Sequence, residues 1–469
     1  MEYVSTRGEA PSLGFEDVLL TGLARDGGLY VPGAWPKLEP DEIAALAGLP
    51  YAQAAVRVMR PFIGGDVPDG ELAELADEAY SGFAHATVAP LVQIGANAWV
   101  LELFHGPTLA FKDFAMQVLA RFMDRALKRR NERATIVTAT SGDTGGAAVE
   151  AFRGRDAIDI FVLHPHGRVS DVQRRQMTTA TESNVHNLAI EGTFDDCQAL
   201  LKALFNDLPR RDRLSLAAVN SINWARIMAQ TVYYMVSAAA LGAPGRAVGF
   251  SVPTGNFGDV FAGYVAARMG LPVKRLVVAT NVNDILARTF ASGRYEPRGV
   301  VPTTSPSMDI QISSNFERLV FEATGRDSGR VRRKMAALAD QGGFDLEAPE
   351  LDQMRALFVA RRVDEDEAAA TIRRLQTGAD YLADPHTAIG IAAAGHEHAP
   401  EDGPIVSFAT AHPAKFPDAV GAACGVTPPV PARLAGQLAA EERYTVLGTD
   451  YDAVAAFIEA RSRAVMEPQ

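Results

Sequence analysis

The feature that most constrains the fold is an alternation of short apolar strand patterns with amphipathic helix patterns, starting near Asn97. The strand patterns are rich in β-branched residues, and they read "AWVLELF", "ATIVTAT", "IDIFVLH", "VHNLAI", "RAVGFSV", "KRLVVAT" and "GPIVSFAT". Strands that alternate with helices require right-handed crossovers and give a largely parallel sheet. The sequence therefore predicts an α/β protein whose ligands bind in loops beyond the carboxyl ends of the strands.

The length of the chain predicts several domains, because 469 residues exceed what one hydrophobic core usually supports. Residues 1–95 have interrupted helical spacing and predict a small, mostly helical amino-terminal domain. Residues 96–240 and 241–428 contain the alternating patterns and predict two α/β domains. Residues 429–469 contain the apolar helix pattern "YDAVAAFIEARSRAV" and predict a helical tail packed on the core.

Charge and composition argue against several classes of function. The net charge of −12 disfavours nucleic acid as a partner. The most apolar segment, Ile227–Gly242, contains Gln230, two tyrosines and a serine, which favours a core helix over a membrane span. With only Cys197 and Cys424, and no signal-peptide pattern at the amino terminus, we expect a cytoplasmic protein that contacts no membrane.

The histidine pairs do not predict a metal site. His164 with His166, and His396 with His398, each place two imidazoles on one face of an extended segment. Neither pair has a third ligand nearby in the sequence. We therefore predict no bound metal.

Lys112 is the first candidate for chemistry. It lies in the almost uncharged stretch "FHGPTLAFKDFAMQ", directly before a predicted helix over Asp113–Arg130. Burial lowers the pKa of a lysine and makes its amine a nucleophile at neutral pH. Lys415 is a rival, but its position between Pro413 and Pro417 predicts a surface loop, so Lys112 is preferred.

Two glycine-containing loops follow predicted strands and begin helices. The first loop consists of Ser141, Gly142, Asp143, Thr144 and Gly145. The second consists of Gly255, Asn256, Phe257 and Gly258, with a helix that begins near Asp259. Amides that converge at a helix start favour a carboxylate or phosphate, although a well-capped structural turn explains either loop equally well. Neither loop has the spacing of a nucleotide-binding motif.

Further polar residues could complete a ligand site. Thr410 is the first polar residue after the strand pattern "GPIVSFA" and offers a hydroxyl there. A second anion could be bound by side chains of two unusually polar segments, namely Asn223, Arg226, Ser313, Ser314, Asn315 and Arg318. Both arginines are equally well explained as helix caps or solvated side chains.

A lysine, an anion turn and a glycine turn together suggest a cofactor with an aldehyde and a phosphate, as in pyridoxal 5′-phosphate (PLP). Ten segments in order resemble the threonine synthase family, in its bacterial and fungal branch. These are "STRG", "GLARDGGLYVP", "LELFHGPTLAFKDFA", "TSGDTGGAA", "EGTFDDCQ", "NSINWARI", "VPTGNFGD", "SMDIQISSNFER", "DPHTAIG" and "TAHPAKF". The resemblance runs from about residue 3 to residue 417.

The resemblance implies a fold-type II PLP enzyme with two open, largely parallel sheet domains. It implies conversion of O-phospho-L-homoserine and water into L-threonine and phosphate. By this resemblance Lys112 is the Schiff-base lysine beside Phe111, and Thr410 is the partner of the pyridine nitrogen. Gly255, Asn256, Phe257, Gly258 and Asp259 belong to the cofactor-phosphate turn. Asp143 stands where other fold-type II enzymes have an asparagine that bonds the phenolic oxygen, and its role stays open.

The substrate site is less specific in the sequence. Amides of the Ser141–Gly145 turn would hold the substrate carboxylate, and the leaving phosphate needs a second pocket. Candidates for these contacts are Ser141, Gly142, Thr144, Gly145, Asn223, Arg226, Ser313, Ser314, Asn315, Arg318, His386 and Lys415. The alternatives are another fold-type II lyase, such as a serine or threonine dehydratase, and an inactive PLP-binding paralogue. The protein is expected to be a monomer or a homodimer.

Overall fold

The computed structural model describes residues 1–140 and 142–465. The strands of this part of the chain are β1 (Tyr3–Ser5), β2 (Tyr30–Pro32), β3 (Leu91–Gly95), β4 (Ala98–Glu102), β5 (Ala134–Ala139), β6 (Ile158–Pro165), β7 (Val185–Ile190), β8 (Leu216–Ala217), β9 (Val248–Pro253), β10 (Val273–Thr280), β11 (Arg294–Tyr295), β12 (Phe344–Asp345), β13 (Phe358–Arg362), β14 (Ile405–Ala409) and β15 (Thr445–Leu447). The apolar runs quoted above coincide with strands β4 to β7, β9, β10 and β14, to within a few residues at their ends.

The helices separate these strands along the chain, as the alternating pattern predicts. In the described ranges they are α1 (Phe15–Thr21), α2 (Pro40–Ala44), α3 (Tyr51–Ile63), α4 (Asp69–Tyr80), α5 (Lys112–Arg130), α6 (Asp143–Phe152), α7 (Asp171–Thr178), α8 (Phe194–Asn206), α9 (Leu208–Arg213), α10 (Trp224–Ala240), α11 (Gly258–Arg268), α12 (Ile285–Ser292), α13 (Phe316–Ala323), α14 (Ser328–Gln341), α15 (Ala348–Arg355), α16 (Glu365–Ala379), α17 (Pro385–Glu397), α18 (Pro417–Cys424), α19 (Ala432–Ala439) and α20 (Tyr451–Glu459).

Two open sheets form the framework, and both are largely parallel. The larger sheet has the strand order β13-β10-β9-β14-β4-β3, in which only the β3–β4 pair is antiparallel. The smaller sheet has the order β15-β7-β6-β5-β8 and is parallel throughout. The predicted α/β fold with two largely parallel sheets is confirmed.

Two strands lie in a different sheet from the one that their position in the chain suggests. β4 falls within residues 96–240 but pairs with β14 of the larger sheet, where Ile405 is in register with Ala98. β15 lies in the carboxyl-terminal tail but extends the smaller sheet beside β7. The apolar pattern of a strand predicts which of its residues are buried, but it does not predict which strand pairs with it. Periodicity therefore cannot assign a strand to a sheet.

The amino-terminal segment packs against the centre of the molecule. β1 and β2 pair antiparallel, and helices α1 to α4 surround them. The fully buried Trp224 at the start of α10 meets the ring of Tyr3 at 5.8 Å and that of Phe62 at 5.7 Å. The apolar face of the tail helix α20, including Ile458, joins the core formed by α8 and the smaller sheet. Among the residues described, no helix is both long and apolar enough to span a membrane.

Candidate active site

Loops at the carboxyl ends of strands from both sheets line a cavity of about 660 Å³. The lining residues come from the end of β5 and the loop after it (residues 138–140 and 142–144), from the end of β9 and the turn after it (residues 253–259), and from Thr410, which follows β14. Further lining residues come from the starts of α5, α10 and α17. The cavity therefore lies where open parallel sheets bind ligands.

Lys112 lies at the first turn of α5 and projects into this cavity. Its side chain is 12% exposed, and its Nζ atom lies 4.9 Å from the centre of the Phe111 ring. Burial lowers the pKa of Lys112, and the nearby charges of Lys415 and Arg226 act in the same direction, whereas Asp143 opposes them. The lowered pKa increases the fraction of neutral amine, which is the nucleophilic form.

Asp143 is held between two lysines at the start of α6. Its Oδ2 lies 3.8 Å from Nζ of Lys112, and its Oδ1 lies 2.8 Å from Nζ of Lys415. Gln173 also donates from Nε2 to Oδ1 at 2.9 Å. Burial would raise the pKa of Asp143, but the charges of Lys415 and Lys112 outweigh burial and hold it well below its usual range. Asp143 is therefore a carboxylate with a permanent cationic partner.

The prediction that Lys415 lies in a surface loop is wrong. Its side chain is 0% exposed, and Nζ donates to the carbonyl of Thr108 at 2.8 Å in addition to Asp143. The two prolines around it begin a 3-10 helix (Pro413–Lys415) and helix α18, and Ala414 packs against Leu434 of α19. Prolines can cap buried helices as well as form surface turns, which the sequence pattern did not distinguish.

The loop after β5 uses part of its hydrogen-bonding capacity internally. The hydroxyl of Thr140 accepts from the amides of Gly142 and Gly145 at 3.0 and 3.1 Å. A β-carbon on Gly145 would lie 2.4 Å from Sδ of Met177, so this position needs glycine for packing. Gly142 and Thr144 line the cavity, Gly145 does not, and Ser141 lies outside the described residues. The loop therefore offers fewer free amides than predicted.

The loop after β9 forms an open turn at the start of α11. A β-carbon on Gly255 would lie 2.9 Å from the Ser307 carbonyl, and Phe257 has a φ of 64°. Within the described residues, no acceptor is recorded for the amides of Asn256, Phe257 and Gly258. Consecutive unpaired amides at a helix start form a site for an anion such as phosphate.

Asp259 follows this turn and is buried at the cavity wall. Its Oδ1 accepts from the hydroxyl of Tyr233 at 2.6 Å, whereas Oδ2 has no partner in the part of the chain that the structure describes. Burial raises the pKa of Asp259 to about 7, although hydrogen bonds from Tyr233 and Tyr234 act against this shift. The side chain is thus a carboxyl group that changes protonation near neutral pH.

Thr410 and His386 line the opposite part of the cavity. Thr410 ends β14, and its carbonyl accepts from the amide of Phe111 at 2.9 Å, which ties this strand end to Lys112. His386 Nδ1 lies 2.6 Å from Asp384, and its Nε2 accepts from the Ser307 amide at 3.3 Å. His386 therefore joins the Ser307 backbone to Asp384 across this part of the cavity.

Arg226 is a buried cation without a carboxylate partner in the described residues. It is 4% exposed, and Nη1 makes one long hydrogen bond, at 3.4 Å, to the Val219 carbonyl. Its Nε has no recorded partner. Burial lowers the pKa of Arg226 to about 10. A buried guanidinium with unused donors is suited to binding an anionic ligand.

Four other candidates serve the structure instead of the cavity. Asn223 caps α10 and donates to the Leu19 carbonyl at 2.9 Å. Arg318 is fully buried and donates to the carbonyls of Tyr30 and Ile222, which joins the amino-terminal segment to the loop before α10. Ser313 and Asn315 bond to the backbone of the Gly255–Gly258 turn, whereas Ser314 lines the cavity. These contacts explain the polarity of both segments.

Some lining residues were not selected from the sequence. They are Gln173, Phe194, Gln198, Asn220, Ser221, Gln230, Thr254, Ser307 and Asp309. Gln230 lies one helical turn after Arg226, so the spacing of four residues could have identified it. The remaining residues lie in segments whose approach to the cavity depends on tertiary packing.

The residues present fit PLP, as judged by three observations. A desolvated lysine amine can capture an aldehyde, the unpaired amides of the Gly255–Gly258 turn can hold a phosphate, and Thr410 brings a hydroxyl to the wall of the same cavity. The narrow space at Gly255 shows that a side chain there would close the turn. Fold and site together define a fold-type II PLP-dependent enzyme.

Comparisons with known proteins agree with this class. Residues 86–347 match the family described as pyridoxal-phosphate dependent enzyme, residues 2–80 match the threonine synthase N terminus, and residues 387–458 match the threonine synthase C-terminal family. The chain is 53% identical over 459 residues to the threonine synthase of Pseudomonas aeruginosa, with 98% of each chain covered. The chain belongs to the threonine synthase family.

Solved structures give the same result. The PLP-bound threonine synthase from Brucella melitensis is 59% identical and superposes with a TM-score of 0.97, covering 99% of this chain and 100% of that one. The yeast threonine synthase is 37% identical with a TM-score of 0.93, and 98% of each chain is covered. The family resemblance read from ten short segments is confirmed, and PLP is the cofactor of the class.

Proposed function

We propose that this protein converts O-phospho-L-homoserine and water into L-threonine and phosphate. The observation that carries the proposal, beyond family membership, is Arg226. A dehydratase whose substrate has an uncharged side chain needs no buried cation to bind that side chain. Burying an unpaired guanidinium costs stability, so such an enzyme would have no use for Arg226. Here a guanidinium lines the cavity that also contains Lys112 and the Gly255–Gly258 turn.

Lys112 is the residue proposed to move protons. When bound, PLP supplies an aldehyde that captures an amine and a ring that withdraws negative charge from the adjacent carbon. The ε-amine of Lys112, with its pKa lowered by burial, accepts the proton from Cα of the substrate. The same amine is positioned beside Cβ, and it would take the Cβ proton after passing the Cα proton to the bound cofactor or to water.

Arg226 is proposed to bind the phosphate of the substrate. Ser314 and Ser221 lie next to each other on the cavity wall, with their Oγ atoms 3.1 Å apart, and can donate to phosphate oxygens. The backbone of the loop after β5, at Gly142 and Thr144, is left for the substrate carboxylate. Asn223, Ser313, Asn315 and Arg318 are no longer candidates for direct contact, because their side chains make structural hydrogen bonds.

The carboxyl end of β14 is proposed to hold the pyridine nitrogen of the cofactor. A hydroxyl such as that of Thr410 does not keep this nitrogen protonated as a carboxylate would. Thr410 is also tied through its carbonyl to the residue before Lys112, so the hydroxyl and the amine move together. This arrangement limits charge withdrawal into the ring and disfavours side reactions.

The direct test is a product assay with O-phospho-L-homoserine as substrate. We expect release of inorganic phosphate without ammonia from the wild type, and loss of both the visible cofactor band and turnover in Lys112→Ala. Ammonia released from serine or threonine at a comparable rate would identify a dehydratase instead. A cofactor band without phosphate release would identify an inactive paralogue.

Two further predictions accompany this function. The cytoplasmic location and the monomeric or homodimeric state are expectations from the sequence and from the family resemblance. Sedimentation of the purified protein tests the second, and a mass above that of two chains would contradict it.

A further inference from the structure

Lys415 is buried beside the candidate active site but does not line its cavity. Its ammonium group contacts Oδ1 of Asp143 and the carbonyl of Thr108, each at 2.8 Å. The side chain is completely inaccessible, and Asp143 is 3% exposed. Lys415 is therefore placed behind Asp143, on the side away from any ligand.

The two oxygens of Asp143 have different surroundings. Oδ1 accepts from both Lys415 and Gln173, whereas Oδ2 faces Nζ of Lys112 at 3.8 Å and, among the residues that the structure describes, accepts one weak hydrogen bond, from the Ser307 hydroxyl at 3.5 Å. One oxygen is thus fixed by the protein interior. The other is free to interact with positive charge in the cavity.

We propose that Lys415 is a positioning residue, which keeps Asp143 as a carboxylate and leaves its second oxygen free to hold positive charge on the ε-nitrogen of Lys112. A carboxylate buried without a counter-ion takes up a proton. Lys112 alone is not a permanent counter-ion, since its nitrogen is the group that reacts. Lys415 takes no part in the proposed reaction, and its Nζ lies 2.8 Å from Oδ1 of Asp143.

This inference rests on the proposed function, because it assigns a role beside the cofactor lysine. Several other polar and charged groups surround Asp143 and Lys112. Gln173 of α7 and Ser307 bond to Asp143, and the charges that act on Lys112 also include Arg226 of α10, Asp113 of α5 and Asp259 of α11. Asp113 is already held by the amide and hydroxyl of Thr108, at 2.7 and 2.8 Å.

The test is a pH titration of the visible absorbance of the PLP-loaded protein, whose midpoint reports loss of the proton at the Lys112 nitrogen. Removing the carboxylate should lower the midpoint, by about 1–3 pH units for charges at this separation. If the wild-type spectrum does not change up to the highest pH at which the protein stays folded, its midpoint lies above that pH.

The wild type and three variants give a definite order of midpoints. Asp143→Asn should have the lowest midpoint, because Lys415 then repels the charge on Lys112 without compensation. The midpoint of Lys415→Met should fall below that of the wild type and coincide with that of the Lys415→Met/Asp143→Asn double variant, since residue 143 is uncharged in both proteins, as a protonated aspartic acid in one and as asparagine in the other. A Lys415→Met midpoint at or above the wild type would overturn the proposal, because Asp143 would then be a carboxylate without Lys415.

Lys334 provides a matched control. Its Nζ also contacts one carboxylate, that of Glu350 at 2.9 Å, and one backbone carbonyl, that of Asp345 at 2.7 Å, and its side chain is 11% exposed. Lys334→Met should leave the midpoint unchanged. A shift equal to that of Lys415→Met would show that the loss of any buried lysine produces the effect, and would refute the specific role.

A measurement on the cofactor-free protein serves as an independent readout. In the wild type the depressed pKa of Asp143 gives stability that is present above its unfolded value and lost as pH falls. In Lys415→Met the buried Asp143 carboxyl should have a raised pKa, so its contribution to stability is present at low pH and lost as pH rises. Adding Asp143→Asn to Lys415→Met should therefore lower the free energy of unfolding more at low pH than at high pH. Urea unfolding measures the effect of Asp143→Asn in the wild type and in Lys415→Met. If this effect changes with pH in the same direction in both proteins, the proposal is refuted.

If Lys415→Met does not fold, Lys415→Gln replaces it, since glutamine still donates to the Thr108 carbonyl. Neither readout requires turnover. A wild type that releases no phosphate would therefore contradict the proposed function, whereas the order of midpoints tests Lys415 alone.

Discussion

Replacing Arg226 by methionine should make the cofactor-free protein more stable and the enzyme less active. Burial lowers the pKa of this guanidinium from its usual value to about 10, and no carboxylate of the described residues compensates it. At 1.4 kcal/mol per unit, the lost solvation amounts to about 3 kcal/mol. Methionine fills much of the same volume and gives up only one long hydrogen bond. The expected gain in unfolding free energy is about 1–3 kcal/mol.

The same substitution removes the proposed contact to the substrate phosphate. Loss of one partner of a buried, hydrogen-bonded charge pair costs about 2–5 kcal/mol, which is at least about 30-fold in kcat/KM. Urea unfolding measures the first effect, and phosphate release measures the second. Inorganic phosphate should stabilise the cofactor-free wild type against urea more than it stabilises Arg226→Met.

Arg318→Met is the matched control, because it also removes a buried guanidinium. Burial lowers the pKa of Arg318 to about 9, but its donors are used by the carbonyls of Tyr30 and Ile222 and by the side chain of Asn315. This variant leaves buried acceptors unpaired and should unfold at lower urea than Arg226→Met. The reasoning is refuted if Arg226→Met is the less stable of the two, or if it keeps wild-type kcat/KM.

Three further perturbations test other parts of the structure. Gly255→Ala places a β-carbon 2.9 Å from the Ser307 carbonyl and should weaken PLP binding at least about tenfold by fluorescence titration, whereas Gly378→Ala, with open space around it, should not. Burial raises the pKa of Asp259 from 3.8 to about 7, so its contribution to stability is complete at low pH and lost as pH rises through 7. Urea unfolding of Asp259→Asn should therefore lack this loss between about pH 4 and pH 7. Ile458→Ala should destabilise the protein by about 2–5 kcal/mol in urea, because this side chain is completely buried against the smaller sheet; a loss below about 1 kcal/mol would show that the tail is not part of the core.

The sequence predicted those features that depend on local patterns. The pattern "ATIVTAT" extends one residue beyond β5, and α5 begins one residue before the predicted Asp113. Local chemistry also indicated Lys112, since a lone lysine in an apolar stretch before a helix has few structural explanations. The order of motifs then gave the family, because ten short matches in sequence are specific where each is not.

Features that depend on which segments meet in space were not predictable. Lys415 was misplaced because prolines around a lysine are compatible with a surface turn and with a buried 3-10 helix, and only the packing of α19 decides between them. Arg226 and Arg318 looked alike in the sequence, yet one faces the cavity and the other holds backbone carbonyls. Hydrogen-bond partners that are distant in the chain produce this difference.

The contrast between Lys415 and Arg226 shows how the site separates two uses of buried charge. The ammonium of Lys415 contacts the carboxylate of Asp143 and the carbonyl of Thr108, so its burial is compensated before any ligand binds. The cost of burying the Arg226 guanidinium is not compensated by a carboxylate of the described residues. The folded protein is therefore less stable without an anion at Arg226 than with one. The proposed binding of the substrate phosphate at Arg226 is thus more favourable than it would be at a cation that is already paired with a carboxylate. It follows that a carboxylate introduced beside Arg226, for example by Gln230→Glu one helical turn away, should stabilise the cofactor-free protein and weaken substrate binding together. A variant that gained stability with unchanged KM would contradict this account.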